Sequence, residues 1–144
     1  MHRSFFYWVF LLIFGVIFVI QAGGCLGGDK VYKRQKTLYQ SVKIYNERLR
    51  WQQYDVASKF VDSDSQTQFM EYYEGLRSSL NITDVKMVSA ELDQDNPDKG
   101  KASVYITYFQ LPGTSLKREL QRQNWTYDVD EERWLINLPD LDKK

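Results

Sequence analysis

Histidine and cysteine are almost missing from this chain: of 144 residues, one is histidine, His2, and one is cysteine, Cys25. A disulfide within the chain needs two thiols, a structural zinc site needs several Cys or His ligands, and a His-dependent triad needs an imidazole near its nucleophile. All three are excluded from whatever follows residue 25. Charge of one sign is missing as well, since Lys plus Arg and Asp plus Glu each number 19. That balance lacks the basic footprint of a nucleic-acid binder, so no nucleic-acid partner is expected. Internal repeats, low-complexity tracts, cofactor motifs and metal-ligand spacings are also missing, so no cofactor is expected.

What is there begins with a long apolar run. Phe5 to Ile20 is preceded by the basic start His2-Arg3 and followed by the small residues Ala22-Gly23-Gly24 and then Cys25. Such a tripartite start reads as an export signal. As a helix the run spans roughly 24 Å, short of the ~30 Å hydrocarbon core, which argues against a permanent transmembrane anchor. Gly24 and Cys25 together resemble the lipobox of bacterial lipoprotein signal peptides, with Ala22 and Gly23 departing from its usual residues. The resemblance implies cleavage between Gly24 and Cys25 and acylation of Cys25, with palmitate among the chains. The protein is then held on a lipid bilayer in the cell envelope, facing the periplasm, and Leu26 after the cysteine favours the outer membrane in a Gram-negative cell. The expected layout is a signal peptide at 1–24, a lipidated tether at 25–28, one domain at 29–140 and a tail at 141–144.

Within the domain, Asp29 is placed to cap a helix. Leu38, Val42, Tyr45 and Leu49 put one apolar stripe on a helix of about six turns. The stripe breaks near Gln52 to Asp55. Val56, Ala57, Phe60 and Val61 restart it as a short second helix. Ser65 and Gln68 match a capping box for a third helix carrying Phe69, Tyr73, Leu76 and Leu80, expected to end near Asn81. Beyond it the period becomes two. Val88, Ala90 and Leu92 form one strand face, and Ala102, Val104, Ile106 and Tyr108 form the next. Leu111-Pro112-Gly113-Thr114 reads as a type II turn. In the third strand Leu116 and Leu120 have opposite parity to Trp125 and Tyr127, which predicts a bulge or bend between them. Trp134, Ile136 and Leu138 complete a fourth strand after the acidic turn Asp128 to Glu132.

Three N-terminal helices packed on a curved four-stranded antiparallel sheet make an α+β domain. With the break at Trp51-Gln52-Gln53-Tyr54-Asp55 and the late pairing of Gln123-Asn124-Trp125 with Arg133-Trp134-Leu135, this order resembles the nuclear transport factor 2-like cone fold. A cystatin-like sheet wrapped on one helix is the alternative. The resemblance implies a cone pocket, in some members a site for small apolar molecules or for isomerase or dehydratase chemistry.

Residues for such a pocket, or for an interface, are Trp51, Tyr54, Tyr73, Tyr105, Tyr108, Trp125 and Trp134, with core packing the rival reading of the tryptophans. Asp55 and Asp84 are the carboxylates that could serve as acid or base, read instead as a helix cap and a turn residue. The basic cluster Lys30, Lys33, Arg34 and Lys36 reads as a solvated helix face close to the anchor. Asp128, Asp130, Glu131 and Glu132 do not match a calcium loop. Asn81-Ile82-Thr83 and Asn124-Trp125-Thr126 match glycosylation acceptors, without consequence in a bacterium. The expected function is that of a non-catalytic envelope lipoprotein binding a protein or peptide partner at the membrane surface. The alternative is a small apolar ligand carrier or sensor, and an enzyme ranks below both.

Overall fold

The computed structural model describes residues 26–138; the expected export signal and lipobox, Cys25 and the expected tail at 141–144 lie outside the described residues. Helix α1 spans Leu26–Arg50, α2 spans Tyr54–Ala57 and α3 spans Gln66–Leu76. Single 3-10 turns lie at Ser58–Phe60 and Ser63–Ser65. Strands β1 (Leu80–Leu92), β2 (Lys99–Gln110), β3 (Lys117–Asp128) and β4 (Arg133–Asn137) form one antiparallel sheet in the order β1-β2-β3-β4. The sheet stays open. The α+β class is as expected, although α3 lies mid-chain rather than at the amino terminus. The described residues from Lys33 to 138 form one compact unit, described below; of what precedes it, the described part is the opening of α1. No helix among the described residues is long and apolar enough to cross a membrane.

Helix α1 begins at Leu26, so Leu26 to Gly28 are helical where a tether was expected, and Asp29 sits inside the first turn. A carboxylate there still opposes the positive end of the helix dipole. The stripe Leu38, Val42, Tyr45 and Leu49 is buried as its spacing predicts. The helix ends in a Schellman motif: Gln53 N–H donates to the Arg48 carbonyl at 2.9 Å and Gln52 N–H to the Leu49 carbonyl at 3.1 Å. Gln52 supplies the left-handed residue this cap requires, with φ 53°.

The core lies between α1 and the inner sheet face, where β2 contributes Ala102, Val104 and Ile106. In β1 the expected face is corrected. Two register shifts, at Ile82/Asp84 and Met87/Ser89, make the strand two residues longer than its partner segment. Val85 and Met87 therefore pack inward beside Ala90 and Leu92, while Val88 is the extra residue and is exposed. A bulge moves one residue out of the alternation, so counting by twos from Leu92 fails beyond it. In β3 the expected face switch does not occur. Its pairing with β2 runs unbroken from Thr126 to Lys117, so Leu116 and Leu120 stay exposed. At Leu111-Pro112 the peptide is cis and no described glycine has positive φ, so the type II turn does not form.

Helix α3 stops at Leu76, and Leu80 and Asn81 already belong to β1. The expected capping box is not made, since Ser65 forms no side-chain cap bond and the chain enters α3 from a 3-10 turn. Arg77 closes this corner. It donates to both carboxylate oxygens of Glu74 and to the Gln52 carbonyl, and its guanidinium lies 4.8 Å from the Tyr54 ring centre. Gln52 returns the contact through its amide to the carbonyls of Arg77 and Leu80.

Polar side chains fix α1 on the sheet. Asn46 and Gln123, both buried, exchange amide hydrogen bonds at 3.2 and 2.9 Å, and Asn46 also donates to the Val42 carbonyl. Gln35 donates to the Ala90 carbonyl and accepts from Leu92 N–H, so its amide acts as a short piece of strand on the open edge of β1. Arg34 is buried rather than solvated with its basic neighbours: its Nε lies 2.9 Å from Asp98 and its guanidinium 3.2 Å from the Tyr127 ring centre. Exposed Lys33 and Lys36 do match the solvated reading.

At Gly100 the sheet backbone lies close against helix α1. A Cβ there would lie 2.5 and 3.1 Å from the two methyl carbons of fully buried Leu38. Gly100→Ala is expected to destabilise the domain by about 1–3 kcal/mol through overpacking. Combined with Leu38→Ala it should cost less than the sum of the two single changes. Urea denaturation of the three variants checks this; strict additivity would contradict the contact.

Candidate functional site

Helix α1 covers the inner face of β3 only as far as Gln123. Gln121, Glu119 and Lys117 have the same parity as buried Gln123, Trp125 and Tyr127, but all three are exposed. Over this uncovered half, α3 and the end of α1 leave a cleft of about 270 Å³. Leu49, Leu76, Leu80, Ile82 and Ile106 form its apolar wall, and Tyr72, Tyr73, Tyr108, Gln110, Gln121 and Glu119 its polar side. Ligand sites commonly combine such a wall with a few convergent polar groups.

The sheet register builds the polar side. Ile106 stands opposite Glu119 and Tyr108 opposite Lys117. The Tyr108 hydroxyl reaches diagonally to donate to Glu119 Oε1 at 2.8 Å. That bond to a carboxylate holds the phenol's proton and, with partial burial, raises the Tyr108 pKa. Tyr73 comes from α3 with its ring 4.7 Å from that of Phe69, 5.3 Å from that of Tyr54 and 5.2 Å from that of Tyr72. Burial, helped by the neighbouring Tyr72, pushes the Tyr73 pKa up to about 12. Burial likewise raises Tyr45 well above its ordinary value, and Tyr54 above its own.

Of the residues singled out in the sequence, Tyr73 and Tyr108 come together in this cleft. Tyr54 lies behind Tyr73 and is buried. Trp125 and Trp134 are core residues: Trp125 meets the edge of Tyr45 at 5.7 Å, and the Trp134 indole donates to the Thr37 hydroxyl. The Trp125 indole N–H, although buried, has no hydrogen-bond partner among the described residues. Tyr105 lies on the outer sheet face, half-buried beneath the Arg118 guanidinium. Trp51 is 65% exposed at the end of α1, so the core reading does not hold for it. Asp55 lies in the first turn of α2, and Asp84 lies within β1 rather than in a turn, paired with Thr107. Neither carboxylate lines the cleft. No cluster of three or more metal-ligating side chains exists among the described residues.

Sequence reasoning missed Tyr72, Gln110, Glu119 and Gln121. The signal was present in the parity of β3: counting by twos back from Trp125 gives Gln123, Gln121, Glu119 and Lys117, a polar row on a core-facing strand side.

A second cleft of about 270 Å³ lies between α1 and the β1–β2 pair, with Lys43, Glu47 and Lys86 at its rim. Its charges are mixed and it gathers fewer aromatic groups. No known protein-family pattern matches the chain, and no curated protein is significantly similar to it.

The raised tyrosine pKa values set an alkaline limit on stability. Below pH 10 Tyr73 is neutral in both folded and unfolded chains; between pH 10 and about 12 only the unfolded form loses its proton, so stability falls as pH rises. A shift of this size corresponds to about 3 kcal/mol by linkage. Denaturation midpoints measured across that range should decline less steeply in Tyr73→Phe than in the parent chain. Equal slopes would contradict the burial of this phenol.

Proposed function

We propose that the chain is a non-catalytic, lipid-anchored bacterial envelope protein whose domain binds a small ligand in the cleft over the inner sheet face. The observation that carries this reading is the cleft itself, an aliphatic wall faced by three phenols, two amides and one carboxylate. Its chemistry suits holding rather than turnover. The Tyr108 phenol has a raised pKa and is therefore a poor base near neutrality, Asp55 and Asp84 stand elsewhere, and Glu119, the one carboxylate in the lining, is already engaged by the Tyr108 hydroxyl. The two further helices after α1 favour a nuclear transport factor 2-like cone over a cystatin-like sheet wrapped on one helix. Anchorage rests on the residues around Gly24 and Cys25 and on the bilayer contact that acylation supplies.

A second reading, a protein or peptide partner at the membrane surface, is favoured by the exposed side chains of Trp51, Leu111 and Leu116.

Two measurements test the proposal. Metabolic labelling with a palmitate analogue should mark the full chain and not Cys25→Ala; equal labelling would remove the anchor. Native mass spectrometry of the full chain from detergent should show a small-molecule adduct that disappears when Ile82→Trp fills the cleft. An unchanged adduct would place the ligand elsewhere. A stoichiometric protein partner in place of any adduct would favour the second reading.

A further inference from the structure

Resting on the reading that the cleft is occupied, we infer that its ligand is a small organic cation, an ammonium carried on an apolar body. Among the described residues, Glu119 is the only formally charged one in the lining, and it forms no ion pair. It takes one hydrogen bond, from Tyr108 to Oε1, which leaves Oε2 free to accept from an ammonium. The rings of Tyr72, Tyr73 and Tyr108 line the same space, and phenol faces attract cations. Ile106, directly across the sheet from Glu119, supplies apolar surface for the body of the ligand. An anionic ligand would meet Glu119 with nothing to offset it in the lining. The one cation on the same strand face is Lys117, opposite Tyr108 and outside the lining. It lowers the local negative potential without neutralising Glu119 by contact.

The volume, about 270 Å³, admits a one-ring amine. The test uses the full chain in non-ionic detergent at low salt, titrated with benzylammonium, benzyl alcohol and benzoate and followed by amide NMR shifts at Ile106, Tyr108 and Gln121. Benzylammonium should bind roughly tenfold more tightly than benzyl alcohol, and benzoate least, as a charge-assisted bond combined with a cation–π contact implies. In Glu119→Gln benzylammonium should bind no more tightly than benzyl alcohol does to the same variant, and Lys117→Ala should strengthen benzylammonium binding. Benzyl alcohol or benzoate binding as well as benzylammonium would overturn the cation inference and leave the cleft a ligand site. No shift with any probe would overturn both. Shifts with Nα-acetyl-lysine amide alone would overturn the small-amine assignment in favour of a lysine presented by a peptide.

Discussion

The paired amides of Asn46 and Gln123 are the constraint on which the rest of the domain depends. Both side chains are buried, and each amide must find partners because an unsatisfied polar group in the core costs about 1–3 kcal/mol. Only one rotation of α1 and one register of β3 bring them together. If β3 slipped by one residue against β2, Gln123 would turn outward and take Trp125 and Tyr127 with it. The same rotation of α1 seats Leu38 against Gly100, points Gln35 at the edge of β1 and lays Arg34 across Tyr127 beside Asp98. A purely apolar contact would tolerate neighbouring rotations; a reciprocal amide pair does not.

The cleft follows from where that pair sits. Gln123 is the last residue of β3 that α1 covers, and beyond it the inner sheet face continues as Gln121, Glu119 and Lys117, side chains that accept solvent. Helix α3 roofs part of this region because the Arg77 corner, joined to Gln52 and Tyr54, holds its carboxyl end against the end of α1. The cleft is thus framed by elements fixed for packing reasons, while two members of its polar side, Glu119 and Gln121, stand on the uncovered end of one strand. Those two side chains can change without disturbing the core.

Much of this was legible in the sequence where periodicity governs. The α1 stripe, the inner face of β2 and the burial of Trp134 and Ile136 follow from spacing alone, because regular elements convert spacing into position. Reading failed where one residue breaks a period. Val88 and the inward turn of Val85 and Met87 depend on bulges that only the pairing with β2 defines. In β3, the apolar character of Leu116 and Leu120 points to burial, although the polar row through Glu119 holds the buried parity. Asn46, one residue after Tyr45 and four after Val42, was visible as a polar intruder on the buried stripe, but its partner lies 77 residues away and no local rule reaches it. Trp51, a large aromatic offered for a pocket or interface and alternatively for the core, lies at the surface where α1 ends.

The most direct test of this account is a double-mutant cycle at the amide pair, using Asn46→Ala, Gln123→Ala and both together, with unfolding free energies from urea denaturation. Each single change leaves one buried amide unpaired, so the double variant should be more stable than additivity predicts, with a coupling of about 1–3 kcal/mol. Changes that simply add would show that helix and sheet are held in place without this contact, and the origin assigned here to the cleft would be wrong.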